Sequence, residues 1–509
     1  MLVLDALWLP LTAIYVLMLL YFFAISVNLL YMVYLSATRP PQHREPAALT
    51  DDLPYVTVQL PIFNELYVIE RLINAACRLD WPRDRLEIQV LDDSTDETQF
   101  VAARLVRQYA ATGLNISHVH RTDRTGYKAG ALEAGLASAK GEFIAIFDAD
   151  FVPPGGFLRQ TVQYFSHANV GFVQARWGHL NQSYSILTEL QSVTIDSHFL
   201  IDQVARNRGG YFMNFNGTAG VWRRAAIRDA GGWEHDTVAE DLDLSYRAQM
   251  RGWEAVYLPD LVSYAELPVT VSSYRCQQRR WAAGSIACAV KLMPALLRAR
   301  VPVGVKVEGA FHLAGYFTHA LMLLMFLMQP LVLYYSQRFH SVGPSAGNLS
   351  PLWAIIATVP ALAPPLYLTF AQWRASGHML QRIPFVIATS VMGAGIMPTT
   401  VSAMLRVLYR KKFVFERTPK YGIAQASDSW DGKRYMIGLD AILAAEIALA
   451  CYGMGSMAYA AALRNWASFS FSAYFLGGLF FIITMSLVQM SAPMLPRLVA
   501  SVSSGNRES

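Results

Sequence analysis

Apolar and polar positions along this chain fall into two regimes. Between residues 54 and 265, short apolar runs alternate with mixed polar stretches, whereas elsewhere the apolar runs are long and nearly free of charge. In the first regime, runs near 55–60, 86–91, 116–120, 143–147 and 171–175 predict β-strands separated by helices. That alternation is the pattern of a doubly wound α/β sheet. The run Phe143-Ile144-Ala145-Ile146-Phe147 is apolar throughout, as a strand covered on both faces must be. It stops at Asp148-Ala149-Asp150, and Pro153-Pro154-Gly155-Gly156 then turns the chain.

In the second regime, residues 8–35 carry no charge and exceed the roughly 20 residues a spanning helix needs. Asp5 is the sole ionised side chain ahead of them, where a cleaved signal peptide would carry basic residues, so this run predicts a retained anchor. Further spans are predicted at 307–336, 351–373, 436–462 and 468–493. Residues 384–408 are also long enough, but Arg374, His378 and Arg382 precede them while Arg406, Arg410, Lys411 and Lys412 follow. Basic residues on both sides predict an interfacial or re-entrant segment, broken between Gly395 and Pro398. By the positive-inside rule, five spans then place the N-terminus outside and the C-terminus in the cytoplasm.

The expected organisation follows from these runs. It is an anchor at 1–40, a cytoplasmic catalytic domain at 50–285, a basic interfacial helix at 286–306, a transmembrane channel region at 307–495 that includes a cytoplasmic loop at 409–435, and a cytoplasmic tail at 496–509. Composition agrees, with 54% hydrophobic residues and 16% charged ones marking an integral membrane protein. A net charge of +5, dispersed along the chain, argues against a nucleic-acid partner. The four cysteines, Cys77, Cys276, Cys288 and Cys451, form no CxxC pair and predict neither a disulfide framework nor a zinc site.

Candidate chemistry sits at the strand ends, because open α/β sheets bind ligands there. Pro61 to Glu65 ends the first strand, Asp92 to Asp96 the second and Asp148 to Asp150 the fourth. Paired carboxylates facing a crevice suit a divalent ion shared with a diphosphate, although ordinary Asx turns have the same composition. Two acid-bearing strand ends side by side are costly unless a cation or hydrogen-bonding ligand lies between them. Lys128, in the first turn of the helix opened by Thr125-Gly126-Tyr127, conflicts with the helix dipole unless it points to solvent or shares a phosphate with the helix amides. Asp241, after Glu240, is either a helix-capping acid or a general base whose pKa is lifted by its neighbour. Tyr274 to Trp281 (YRCQQRRW) offers amides, guanidinium groups and an indole, which suit a sugar diphosphate or a membrane interface.

Taken in order, Asp93 in LDDSTD, the DAD at 148–150, the AED at 239–241 and QQRRW at 277–281 resemble the motifs of processive family 2 glycosyltransferases, the cellulose synthase superfamily. QLPIFNE, VLDDSTDET, RTGYKAGAL and FNGTAGVWRR are most similar to the cellulose-synthase-like A mannan and glucomannan synthases. The resemblance implies a GT-A nucleotide-diphospho-sugar transferase fold for the α/β domain, joined to an α-helical transmembrane domain. It also implies an inverting, processive hexosyltransferase that makes a β-linked hexose polysaccharide, with β-1,4 the expected linkage, and passes it across the plasma, inner or Golgi membrane. Donor binding is implied for Glu65, Asp93, Lys128, Asp148, Gln277 and Arg280, and Mg2+ or Mn2+ binding for Asp148 and Asp150. Asp241 is implied as the base, with Trp281, Glu240, Gly217 and Thr218 at the acceptor. FERTPK at 415–420 is similar to a gating loop, which implies that Phe415, Thr418 and Lys420 close over the donor. Ala239 and Arg417 depart from the usual Thr and Val of these motifs. GDP-mannose is the expected donor and a growing β-glycan the acceptor; the alternatives are a UDP-glucose-dependent β-glucan synthase or a non-processive glycolipid transferase.

Overall fold

The computed structural model describes residues 8–41, 45–46, 48–49, 52–338, 351–409, 416–437 and 440–491. One seven-stranded sheet organises the α/β domain, in the order β3-β2-β1-β4-β6-β5-β7. Its strands are β1 (Val56–Ile62), β2 (Leu86–Asp92), β3 (Ile116–His120), β4 (Phe143–Ile146), β5 (Val170–His179), β6 (Gly220–Arg223) and β7 (Glu254–Ala265). β1, β2 and β4 are buried along their whole length, as expected for strands with helices on both faces. Buried polar side chains pair across the ladder, Thr57 Oγ1 donating to Glu87 at 2.7 Å and Gln59 Nε2 to Gln89 at 3.1 Å.

The five expected strands are present, but the sheet is mixed rather than uniformly doubly wound. Strands β1 to β4 run parallel, and β6 inserts antiparallel between β4 and β5. β6 is four residues long and β7 carries Pro259 and Asp260 inside its span, so neither presents a clean apolar run. Packing fixes β6: Trp222 is fully buried, with ring centroids 4.6 Å from Phe172 and 5.5 Å from Phe215.

The apolar anchor α1 (Trp8–Thr38) is followed by α2 (Ile69–Ala76), α3 (Thr98–Ala110), α4 (Tyr127–Ser138), α5 (Phe157–Val162), α6 (Ile186–Ser197), α7 (Gln203–Gly209), α8 (Arg224–Asp229), α9 (Glu240–Met250) and α10 (Val271–Arg298). They are followed by α11 (Val303–Leu313), α12 (Phe317–Arg338), α13 (Pro351–Ser376), α14 (Met379–Gly395), α15 (Met397–Leu408), α16 (Ile442–Ala462) and α17 (Trp466–Ser491). α10 corrects the expected boundary at 285: it begins at the Thr270 cap and runs through Pro294, so the QQRRW motif and the basic stretch share one helix. The expected span at 307–336 is likewise interrupted between α11 and α12.

Among the described residues, five helices are long and apolar enough to cross a membrane, or six if the bent pair α14 and α15 counts as one span. That pair bends by 42° at Ile396, inside the predicted interval. The break coincides with a close crossing, because a Cβ on Gly395 would lie 2.1 Å from the Gly478 carbonyl of α17.

Truncating Trp222 leaves a large cavity where β6 packs, at a cost of about 3–5 kcal/mol. Trp222→Ala is expected to lower the melting temperature of the detergent-purified chain clearly, and an unchanged melting temperature contradicts the packing role given to β6.

Candidate active site

β4 delivers the DAD turn, and the loop before β6 folds over it. The Asp148 amide donates to Thr218 Oγ1 at 2.9 Å, and the Ala219 amide to the Ile146 carbonyl at 2.9 Å. Lys128 reaches the same point from the first turn of α4. Its Nζ donates to Asp148 Oδ1 at 2.5 Å and to the Gly217 carbonyl at 2.9 Å, and lies 3.9 Å from Glu240. The conflict between this cation and the helix dipole is thus met by carboxylates. Burial alone would lower the Lys128 pKa, but Asp148 and Glu240 hold it above the ordinary lysine value.

Asp241 occupies the first turn of α9, where its Oδ1 accepts from the Leu242 amide at 2.8 Å. Burial and then the neighbouring Glu240 charge push its carboxyl up to about 7, against the pull of Lys128. Gly217 faces it across the cavity. With φ at +79°, a Cβ there would sit 2.9 Å from Asp241 Oδ2 and 3.2 Å from Lys128 Nζ.

Two adjoining cavities meet at this point. One is lined by Asp241, Glu240, Gly217, Gln277, Trp281, Trp177 and His179, and the other by Glu65, Asp93, Phe63, Arg124, Arg417 and Thr418. Lys128, Asp148, Asp150, Arg280 and Lys420 belong to both. Asp93 is gripped by Arg121, whose Nε and Nη2 donate to it at 2.7 and 2.6 Å. Thr218, expected at the acceptor, lines neither cavity; it is fully buried and supports the backbone of Asp148 instead. Phe415 lies outside the described residues.

The segment from 416 to 423 lies against the strand ends. Arg417 bonds Glu65 through two nitrogens at 3.0 and 3.3 Å, and Lys420 pairs with Asp150 at 2.7 Å. Glu266, which sequence reasoning missed, anchors this segment by accepting from the Tyr421 and Ile423 amides at 2.8 and 3.1 Å. Its only sequence signal was a lone acid after a strand-like run. Burial raises both acids, Glu65 to about 8 despite Arg417, and Glu266 against the pull of Lys420.

Asp148 and Asp150 supply hard oxygen donors whose charge Lys128 and Lys420 meet, so the pair fits a hard divalent ion shared with substrate oxygens. The two three-residue clusters of metal-ligating atoms among the described residues, Asp92 with His118 and His120, and Glu234 with Asp236 and Asp243, lie elsewhere.

Residues 54–284 match the family described as glycosyltransferase like family 2. Curated relatives include glucomannan 4-beta-mannosyltransferase 2 of Arabidopsis thaliana, 46% identical over 250 residues, which are 48% of this chain and 47% of that protein. Glucomannan 4-beta-mannosyltransferase 1 of Oryza sativa subsp. japonica is 42% identical over 259 residues, half of each chain. The chain thus spans about half the length of the curated relatives it matches. Among solved structures, a mannosyltransferase from Pyrobaculum calidifontis, in complex with GDP-Man and Mn2+, superposes with a TM-score of 0.52 at 22% identity, covering 79% of this chain and all of that one. The fold is of the GT-A type, and the α/β domain is similar in sequence to family 2 glycosyltransferases and, among curated proteins, to glucomannan 4-beta-mannosyltransferases.

Gly217→Ala places a methyl group between Asp241 and Lys128 in a left-handed backbone conformation that costs about 1–2 kcal/mol for L-residues. With Asp241 and Lys128 as candidate catalytic groups, turnover is expected to fall by about 100-fold, the order of effect that small displacements of such groups produce. Near-wild-type turnover in this variant contradicts the geometry given for Asp241.

Proposed function

We propose that this chain is an inverting hexosyltransferase that transfers mannose from GDP-mannose to the 4-hydroxyl of a β-mannan or glucomannan chain. The observation that carries the reading is the meeting of the two cavities at Lys128, Asp148 and Asp150, with Asp241 and Trp281 on one side and Asp93 and Glu65 on the other. The relatives' names specify mannosyl transfer, and none supports UDP-glucose as donor.

In this reading the acceptor sugar lies against the Trp281 indole with its hydroxyl facing Asp241. Asp241 takes the hydroxyl proton as the oxygen attacks the anomeric carbon and the bond to the diphosphate breaks. Attack from the face opposite the nucleotide inverts the centre, through a transition state with oxocarbenium character. Lys128 and Arg280 place positive charge beside the departing diphosphate, with Gln277 as a further polar contact. A Mg2+ or Mn2+ ion held by Asp148 and Asp150 would supply Lewis-acid stabilisation of that leaving group, a contribution of several kcal/mol. Asp93 and Glu65 border the nucleotide, while Thr218 holds the DAD turn from below. Glu240 tunes Asp241 and Lys128 by charge.

The same proposal makes segment 416–423 a lid. Arg417 and Lys420 already pair with Glu65 and Asp150, so donor entry exchanges protein cations for substrate and ion. The apolar helices carry the domain in a membrane with the site on the cytoplasmic side, and the product leaves between them. Tyr316, which donates to Gln278 of α10 at 3.3 Å, and His319, 2.9 Å from Thr400, are the polar side chains this reading assigns to such a path.

Purified protein given radiolabelled GDP-mannose and Mn2+ is expected to form label-bearing product that β-mannanase degrades. Product formed from UDP-glucose alone, resistant to mannanase, would overturn the donor assignment. Since Asp241 must be unprotonated to act, kcat/KM is expected to rise about tenfold per pH unit below about 7 and to level above it. Asp241→Asn removes the base and should lower transfer by at least 100-fold while GDP still binds. A flat profile through pH 6–8 argues for another base.

A further inference from the structure

Asp92 and Asp93 are adjacent, but the fold sends their side chains to different places. Asp93 enters the donor-side cavity and takes both arms of Arg121. Asp92, the last residue of β2, is fully buried, and its partners lie on the neighbouring strand β3. There the two-residue period of a strand sets His118 and His120 on one face, with His120 directly opposite Asp92 in the ladder. Oδ1 of Asp92 accepts from the Ser94 amide at 2.8 Å. Oδ2 lies 2.8 Å from His118 Nε2 and 3.6 Å from His120 Nδ1.

One histidine would satisfy that oxygen. The second approaches to a distance too long for a hydrogen bond, yet its ligating nitrogen still converges on the same carboxylate. All three donor atoms lie within 4.8 Å of one another, and no lysine or arginine pairs with Asp92 among the described residues. Zinc bonds of about 2.0–2.2 Å hold tetrahedral ligand atoms roughly 3.3 Å apart, between the two observed separations. The side chains of His118 and His120 are 18% and 32% exposed, so an ion has a path from solvent.

We propose that Asp92, His118 and His120 form a second metal site, distinct from the DAD carboxylates, that takes a borderline transition-metal ion such as Zn2+ through two imidazoles and one carboxylate. Imidazole nitrogen selects such an ion over Mg2+, whereas Asp148 and Asp150 offer oxygen alone. Three protein ligands leave a fourth position for water. The ion ties the end of β2 to β3, whose next residues, Asp93 and Arg121, form the ion pair at the donor-side cavity. The site is therefore structural, setting where Asp93 stands. The other cluster, Glu234, Asp236 and Asp243, already holds the Lys291 ammonium at 2.5, 2.7 and 3.0 Å and needs no ion.

The test is metal binding by the full chain in detergent, stripped with chelator and titrated with Co2+ followed by visible absorption, and with Zn2+ followed by equilibrium dialysis and elemental analysis. One tightly bound ion per chain is expected, retained in Asp148→Asn/Asp150→Asn and weakened at least tenfold in His120→Gln. His120 is partly exposed and lies beyond hydrogen-bond distance of Asp92, so that variant tests the site without removing the Asp92–His118 contact. His118→Gln/His120→Gln should abolish binding, with circular dichroism and melting temperature reporting whether it folds. Unchanged affinity in His120→Gln, or loss of the ion in the Asp148/Asp150 variant instead, overturns the proposal. Absence of any Co2+ or Zn2+ binding tighter than that of the double-histidine variant does the same.

Discussion

The structure depends on how it tolerates several carboxylates in one desolvated place. Asp148, Asp150, Glu240, Asp241, Glu65 and Glu266 arrive from β4, α9, β1 and β7 at the same edge of the sheet, where like charges repel and burial penalises each ion. Lys128 makes the arrangement possible. One ammonium group touches Asp148 and the Gly217 carbonyl and faces Glu240, binding β4, α4, α9 and the loop before β6 into a single constellation. Burial first, and then the neighbouring acids Glu240 and Asp150, raise the carboxyl pKa values of Asp241 and Glu65 against the pull of Lys128 and Arg417. A site under this tension suits an anionic ligand brought with a cation, and an acid raised to about 7 suits the proton transfer proposed for Asp241.

The surrounding architecture protects that geometry. α10 carries Gln277, Arg280 and Trp281 to the cavity, and its other faces bind to the helical half: Arg275 pairs with Glu446 of α16, and Arg279 with Asp440 and Glu416. These are partly to wholly buried ion pairs, so loss of one partner would strand a charge. Movement of the 416–423 segment or of the apolar helices is therefore felt by the helix that holds the proposed pyrophosphate and acceptor contacts.

Much of this was legible in the residues, because strand ends are marked by punctuation. Asp148 to Asp150 after an apolar run, Asp93 after another, and Gly126 before Lys128 each carry a local signal, and the fold brings all of them together. Bent helices α14 and α15 were equally readable, from basic flanks and a Gly–Pro interval. What escaped was decided by distant partners. β6 is too short for periodicity and exists because Trp222 packs against Phe172 and Phe215. Arg417 looked like a departure from a motif until Glu65, 352 positions away, turned out to receive it. Glu266 has a buried acid's role that no neighbouring residue announces. The continuity of α10 was hidden because composition changes at residue 285 while the backbone does not.

The most direct measurement is a cryo-electron microscopy structure of the full chain with GDP and Mn2+. The account predicts diphosphate density between Lys128 and Arg280, an ion on Asp148 and Asp150, and Lys420 displaced from Asp150. Nucleotide density outside the cavity that Asp93 and Glu65 line, or an ion-free Asp150 still paired with Lys420 in the nucleotide-bound state, would contradict it.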